Sequence, residues 1–432
     1  MLRTSRYLHL VPLDGKVAAV NTLSGGVAFV ASELAVALTR AHSAELEDVA
    51  RRFPELEGMG AFVSVDLDER DLVRVRIGQT RFADRSLNLT IVPTLACNMR
   101  CCYCDQQEES RRYTMSGETA EALLRYVAAR LDDRKLLCVT WYGGEPFLAY
   151  ELLVSLQCGL FNLCAERGLP MVCNITTNGT LVSRERIAAL RDIGIRQVQI
   201  TLDGPARIHD RRRTMEDGSG TFQQTLDAIL GARDLVDVRV RVNVDGTNAH
   251  HLPELLSLLA DYGLVENTYI APVVSYGVPC AQTNSAVLAG PDFAKALMHV
   301  MNFMTAEDLE NHLTPSELPC TALSASTFVF GPRGHVYRCW HDLDYPERAI
   351  DHVVSGEGVP SRRLFWLTYD PLANPTCAEC SVLPLCLGGC PERRRSGISP
   401  PDCCSPLRTH LPAFLKRYAE LVDRDAAPAE PR

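Results

Sequence analysis

The sequence predicts an α/β chain built on a parallel sheet, with a small α+β module before it and a loop-rich segment after it. The main observation is a strand–helix alternation that starts near Leu87. "LNLTIVPT" precedes the amphipathic "GETAEALLRYVAARL", "KLLCVTWYGGEP" precedes "ELLVSLQCGLFNLCAERG", and "PMVCNITTNGT" precedes "SRERIAALRDIG". "RQVQITLDG" then leads to "GTFQQTLDAILGARDL", "VRVRVNVDGTN" to "HLPELLSLLADYG", and "NTYIAPVVSYG" to "PDFAKALMHVMNFMT". Six such βα units imply a parallel sheet, open or rolled into a barrel, with function on the loops after the strands' C-terminal ends.

Two changes of pattern frame this core. Before it, "RYLHLVPL", a turn at Asp14-Gly15 and "KVAAVNTL" read as a hairpin, followed by helical spacing in "ASELAVALTRA" and "AELEDVARRFPEL". "AFVSVDL" adds a short strand, and "DERDLVRVRIGQTRFADRS" reads as a linker or edge. After residue 310 the alternation stops and Cys, Pro, Gly and Arg dominate, as in small domains held by metals or disulfides. The boundaries predicted are 1–85, 86–310, 311–415, and 416–432 for a helix end and a disordered tail.

The composition, 46% hydrophobic and 22% charged, suits a globular chain of two or three domains. A net charge of −9 argues against a nucleic-acid partner. No apolar run reaches the roughly 18 residues of a membrane span, and the N-terminus lacks a signal-peptide pattern. The expected location is cytoplasmic, with no membrane partner.

Seventeen cysteines in a reducing compartment do not read as a disulfide framework. Cys138, Cys158, Cys164, Cys173 and Cys280 are scattered, and free cysteine is commonly a small buried apolar residue. The others fall into two groups. In "TLACNMRCCYCDQQ", Cys97, Cys101 and Cys104 are spaced C-x3-C-x2-C, with Tyr103 before the last and Cys102 left over as a bystander. Such a trio is either a metal site with an open position or a cluster of inert thiols. A structural zinc wants four closed ligands, and no His lies near 97–104. A cubane [4Fe–4S] cluster takes one thiolate per iron, so three cysteines leave one iron open.

Cys97-x3-Cys101-x-Tyr103-Cys104 after the first strand of the alternation resembles the signature of the radical S-adenosylmethionine (SAM) superfamily. Three later stretches agree in order and position: "GGEP" (Gly143, Gly144, Glu145, Pro146), "TTNGT" with Asn178, and "TLDGP…HDRRR" from Thr201 to Arg213. The resemblance implies a partial (β/α)6 TIM-like barrel whose strand-end loops hold SAM. Tyr103, Gly143, Gly144, Glu145, Pro146, Asn178, Thr201 and Arg213 are the candidate cofactor contacts. It also implies a 5′-deoxyadenosyl radical that takes a hydrogen atom from an unactivated carbon.

The second group matches the SPASM extension of this superfamily: Cys320-x13-Gly334-x4-Cys339, then Cys377-x2-Cys380-x5-Cys386-x3-Cys390, then Cys403-Cys404. The alternative is a zinc ribbon of Cys377, Cys380, Cys386 and Cys390. By resemblance there are two auxiliary [4Fe–4S] clusters, three clusters in all. The nearer takes Cys320, Cys339 and Cys390, with an open iron or a distant ligand such as Cys280. The farther takes Cys377, Cys380 and Cys386 with Cys403 or Cys404.

Relatives with this extension mostly modify peptides and proteins, and the N-terminal module resembles a winged-helix-like element that holds a precursor's leader. The expected function is maturation of a ribosomally made peptide (RiPP) by a thioether or carbon–carbon cross-link, served by a flavodoxin- or ferredoxin-type electron donor. The alternatives are oxidation of a sulfatase Cys or Ser to formylglycine, with Asp342 as candidate base, and peptide epimerisation. A non-catalytic electron-transfer or zinc-stabilised protein would leave "GGEP" and the other strand-end loops unexplained. Arg362-Arg363 and Arg393-Arg394-Arg395 read as solvated surface or a grip on an acidic leader. Trp141, Trp340 and Trp366 read as packing residues.

Overall fold

The computed structural model describes residues 1–40, 43–274, 286–398 and 403–426, so Cys280 lies outside the described residues. The chain divides into two compact units, residues 1–80 with 289–320 and 370–432, and residues 81–288 with 321–369.

In the first unit, β1 (Leu2–Thr4) pairs antiparallel with β5 (Phe62–Ser64). The predicted hairpin forms β2 (Leu8–Leu13) and β3 (Lys16–Asn21), and β4 (Val27–Val30) completes an antiparallel meander. Alternation along the strands gives this sheet two apolar faces. Val17, Ala19 and Val30 pack with the N-terminal helical residues Leu38, Leu46, Val49 and Leu56. Ala18 and Val20 pack with Met301, Leu309, Leu313, Leu411, Phe414 and Leu415. The last six come from helices Gly290–Met301, Ala306–Leu313 and Leu407–Ala426.

The sixth helix of the alternation, Gly290–Met301, therefore packs in the first unit instead of completing a sixth βα pair. The stretch read as a linker is helix Glu69–Ala83. Val73 and Ile77, one turn apart, pack with Tyr7, Leu23, Leu372 and Leu383, which its surrounding charges hid from a reading of local polarity. Residues 423–426, assigned to a disordered tail, form the last turn of the C-terminal helix.

The second unit holds the parallel sheet. Its strands are β6 (Ser86–Ile91), β8 (Leu136–Trp141), β9 (Met171–Thr177), β10 (Ile195–Thr201), β12 (Asp237–Val244) and β13 (Thr268–Pro272). They neighbour one another in chain order, all parallel. Two short strands, β7 (Met99–Cys101) and β11 (Arg213–Met215), form a separate antiparallel pair. On the free edge of β6 the sheet continues through β14 (Thr327–Phe330), parallel to it, then β15 (His335–Tyr337) and β16 (Asp351–His352). The segment 321–369 thus belongs with the barrel strands rather than with the cysteine-rich segment that follows.

Every second residue of β6 and β8 is buried on the helix side: Leu87, Leu89, Ile91, Leu137, Val139 and Trp141. The opposite face carries Asn88, Thr90 and Thr140, and on later strands Asn174, Thr176, Gln197, Gln199, Arg241 and Asn243. A filled barrel interior is dominated by Val, Ile and Leu. This one is polar.

Residues Pro146–Ala165 include an 18-residue window of mean hydropathy 1.5, an apolar stretch missed in the sequence by its single acidic residue, Glu151. Leu153, Leu156 and Leu160 of this segment are buried in the protein.

Candidate active site

The cysteine loop leaves β6 and returns through β7. Pairing of Cys101 with Arg213 across β7 and β11 sets the loop's alternation. Cys97, Cys101, Tyr103 and Cys104 line a cavity of about 520 Å³, whereas Cys102 does not, and its N–H donates to the Arg212 carbonyl at 2.9 Å. Burial raises the thiols of Cys97 and Cys101 and pushes that of Cys104 up to about 11. Such thiols are neutral and inert alone, and coordination to iron is what deprotonates them.

Gly143 and Gly144 explain the local sequence "GGEP". The N–H of Gly144 donates to the Thr94 carbonyl (3.1 Å) and that of Glu145 to the Ala96 carbonyl (2.8 Å). A Cβ on either glycine would collide with the Thr94 or Ala96 carbonyl oxygen, and Gly143 also sits at φ +144°. Only glycine permits this approach. Glu145 stands behind the cavity wall, fully buried: its carboxylate accepts from Asn178 N (2.7 Å), Thr177 Oγ1 (2.8 Å) and Phe147 N (3.0 Å). Burial raises its pKa, opposed by those donors. Glu145, expected as a cofactor contact, ties the second strand's loop to the third, and neither it nor Pro146 is among the residues that line the cavity. Asn178 lines the cavity, and its Nδ2 donates to Asn98 Oδ1 at 2.9 Å in the cysteine loop.

Tyr103, Thr201 and Arg213 also line the cavity. The Tyr103 hydroxyl donates to Asp203 Oδ2 (2.5 Å) and accepts from Arg213 Nη1 (2.5 Å) and Asn243 Nδ2 (3.0 Å). Burial raises the Tyr103 pKa, while the Arg213 pKa is raised by Cys101, Tyr103 and Asp203 against the opposing effect of its own burial. Sequence reasoning missed Asp203 and Asn243; the first stands inside the quoted "TLDG", and strand alternation pointed to the second.

The fourth wall comes from the 3₁₀ helix Trp340–Asp344. Its three-residue period aligns Trp340 with Leu343 and His341 with Asp344, and all four line the cavity. Asp342 occupies the third face. It is 1% exposed, its Oδ1 bound by Arg348 at 3.1 Å, so the expected base does not face the cavity. Trp141 and Trp366 are buried as expected, but Trp340 is 49% exposed and stacks on Tyr142 at 5.2 Å.

The radical SAM superfamily matches residues 91–263. The chain carries a radical SAM domain. Over 320 residues it is 24% identical to the serine-type anaerobic sulfatase-maturating enzyme of Klebsiella aerogenes, covering 68% of this chain and 77% of that one. Native anSMEcpe with bound AdoMet and Cp18Cys peptide has a similar fold, with TM-score 0.58 and 20% identity over 79% of this chain and 98% of that one. Streptococcus suis SuiB bound to precursor peptide SuiA matches with TM-score 0.51 and 14% identity, covering 90% of this chain and 95% of that one.

A radical SAM domain uses SAM and a [4Fe–4S] cluster, and the residues present fit both. Three half-buried cysteines line the same cavity as Arg213 and Asn174, whose Nε and Oδ1 are buried polar atoms with no protein partner among the described residues. Among the described residues no three His, Cys, Asp or Glu side chains converge as ligands of a single ion do. A cubane instead spreads its thiolates over separate irons.

The cysteines of the second group lie in two places. Cys339 directly precedes Trp340 in the second unit; Cys320, Cys377, Cys380, Cys386, Cys390, Cys403 and Cys404 belong to the first. There, Leu387, Gly388 and Gly389 all adopt positive φ and turn the chain between Cys386 and Cys390. Burial raises the thiol of Cys377 and pushes that of Cys386 up to about 11, with the charge of Cys404 a smaller contribution to each, and Arg408 Nη1 donates to Cys404 Sγ at 3.0 Å. Cys403 is buried, its Sγ donating to the Ile398 carbonyl at 3.6 Å. Two of the arginine runs' members point inward: Arg394 Nη2 donates to Cys377 Sγ at 3.2 Å, and Arg362 Nη1 to the Ala349 carbonyl at 2.8 Å.

Proposed function

We propose that this radical SAM enzyme matures a ribosomally made peptide, taking hydrogen from Cα or Cβ of one residue on the way to a thioether or carbon–carbon cross-link. The observation that carries the reading is the cavity itself: its cysteine wall opens onto a polar lumen with an aromatic rim. When bound, the cluster and SAM supply the 5′-deoxyadenosyl radical. The protein's part is ligation, orientation and exclusion of water. Cys97, Cys101 and Cys104 would ligate the cluster, the paired Gly143 and Gly144 bring backbone close to it, and Arg213 offers its free Nε to an anionic group. The buried Tyr103–Asp203–Asn243 network holds that arginine in place.

The N-terminal sheet supports a leader site. Among the described residues β4 pairs with β3 alone, and the Asn21 N–H bond to the Gly26 carbonyl sets a register in which the backbone N–H and C=O groups of Val27 and Phe29 face the open edge. An extended leader adds there as a fourth strand. The spacing of the remaining cysteines supports two auxiliary clusters, the farther with Cys377, Cys380, Cys386 and Cys404. Cys404 is chosen over Cys403 because the Cys403 thiol is buried and turned to the Ile398 carbonyl. The donor is a flavodoxin or ferredoxin type protein, and the compartment the cytoplasm.

A second reading, formylglycine formation on a sulfatase, is favoured by the Klebsiella relative, although Asp342 does not reach the cavity to serve it. Co-expression with a short peptide encoded beside the gene decides between them. Loss of two hydrogens per event indicates cross-linking, unchanged mass with inverted stereochemistry indicates epimerisation, and formylglycine on a sulfatase peptide overturns the first reading.

A further inference from the structure

The cavity has a rim that the radical chemistry does not employ. We propose that Trp340, Tyr142, Asp344 and Asp105 form a subsite for a cationic side chain, lysine or arginine, of the substrate peptide; this rests on the function proposed above and names part of its substrate.

Trp340 is half exposed and lies nearly parallel to Tyr142, with 26° between the ring planes. With Tyr142 stacked on one side of it, Trp340 keeps its outer π face at the cavity mouth, and cations are drawn to such faces. Beside Trp340 on the same 3₁₀ turn, Asp344 Oδ1 is buried with no hydrogen-bond partner among the described residues. Its Oδ2 accepts only a long bond, 3.3 Å, from Gln107 N. A carboxylate oxygen removed from water without a donor is costly, and a charged donor is the partner that restores most. Asp105, on the cysteine loop, adds a second carboxylate, held at 3.4 Å from His341 Nδ1 with 58% of its side chain exposed.

The cavity's two arginines do not answer this demand. Arg213 is bound to Tyr103, and Arg241 Nε donates to Asn243 Oδ1 at 2.8 Å, both on the strand-end side. Leu343, Pro272 and Val273 add apolar lining that can cover the methylene stem of a long cationic side chain. An acidic side chain would meet two carboxylates there, and a neutral one would leave Asp344 without a charged donor.

The test uses reconstituted holoenzyme saturated with SAM, with binding of short blocked peptides followed by saturation-transfer NMR. The probes are acetyl-Gly-Xaa-Gly-amide with Xaa arginine, lysine, citrulline or norleucine. The expected result is that the arginine and lysine peptides bind at least about fivefold tighter than citrulline and norleucine. Trp340→Ala and Asp344→Asn, checked for unchanged iron content, each remove that preference, and Trp340→Phe retains most of it. Equal binding of arginine and citrulline, no binding of the arginine peptide, or a preference that survives both Trp340→Ala and Asp344→Asn overturns the proposal. Release of 5′-deoxyadenosine by the reduced wild-type enzyme is the separate control. If it is absent the functional reading fails, and if it is present without charge preference only the subsite fails.

Discussion

Gly144→Ala tests how the second strand's loop is seated against the cysteine loop. The added Cβ would meet the carbonyl oxygens of Leu95 and Ala96, and because these are backbone atoms no rotamer change relieves the contact. Overpacking of this kind costs about 1–3 kcal/mol. Displacing the loop also weakens the Gly144 N–H bond to Thr94 and the Glu145 N–H bond to Ala96, each worth about 1 kcal/mol. A total near 3 kcal/mol lowers the thermal midpoint by about 6–12 °C, since a unit of this size moves about 2–4 °C per kcal/mol. Gly231→Ala is the matched control: it sits in helix Phe222–Ala232 with nothing within 4 Å of a new Cβ, and should stabilise by about 0.5–1 kcal/mol. Differential scanning fluorimetry and SAM affinity are the assays. If Gly144→Ala melts within a degree or two of wild type and binds SAM normally, the argument from close approach is wrong.

Three further outcomes are expected. Cys404→Ser lowers the iron content of purified protein by up to about four irons while Cys403→Ser leaves it unchanged; the reverse pattern would assign the ligand to Cys403. Arg394→Ala removes a charged donor from Cys377 and shifts one auxiliary cluster's midpoint negative by tens of millivolts in an EPR-monitored titration, an order of magnitude set by about 59 mV per tenfold change. His335 is held down to about 4 by burial and by His352 and Arg333. The unfolded chain therefore binds its proton first, and stability falls as pH drops from about 6.5 to 4, by about 1–2 kcal/mol after allowance for its partial exposure. His335→Gln should flatten that part of the pH–midpoint curve, and an unchanged slope would show that this histidine does not control it.

The parallel sheet was legible because each of its strands is an apolar run set beside an amphipathic helix, and the cysteine trio because its spacing has few other uses. What was not legible depended on tertiary context. The only apolar side chains that helix Glu69–Ala83 fully buries are Val73 and Ile77, too few to stand out among its charges, two of which, Glu69 and Arg81, are buried as well. Strand β14 lies among loops in sequence and joins the sheet only by pairing with β6. Within the site, "CWHDLD" carries two carboxylates of equal apparent promise. The 3₁₀ period turns Asp344 to the cavity and Asp342 to Arg348, and a periodicity of three cannot be read from five residues. Glu145 is a candidate contact only by resemblance, and the three neighbouring donors to its carboxylate come from loops that no local pattern brings together.

The central claim is that Cys97, Cys101 and Cys104 hold a cluster whose free iron receives SAM. The direct measurement compares wild type with the Cys97/Cys101/Cys104 triple-alanine variant, both purified anaerobically, for iron content and for 5′-deoxyadenosine released after reduction. The account predicts the loss of about four irons and no release from the variant. Equal iron and equal release from the two proteins would contradict it.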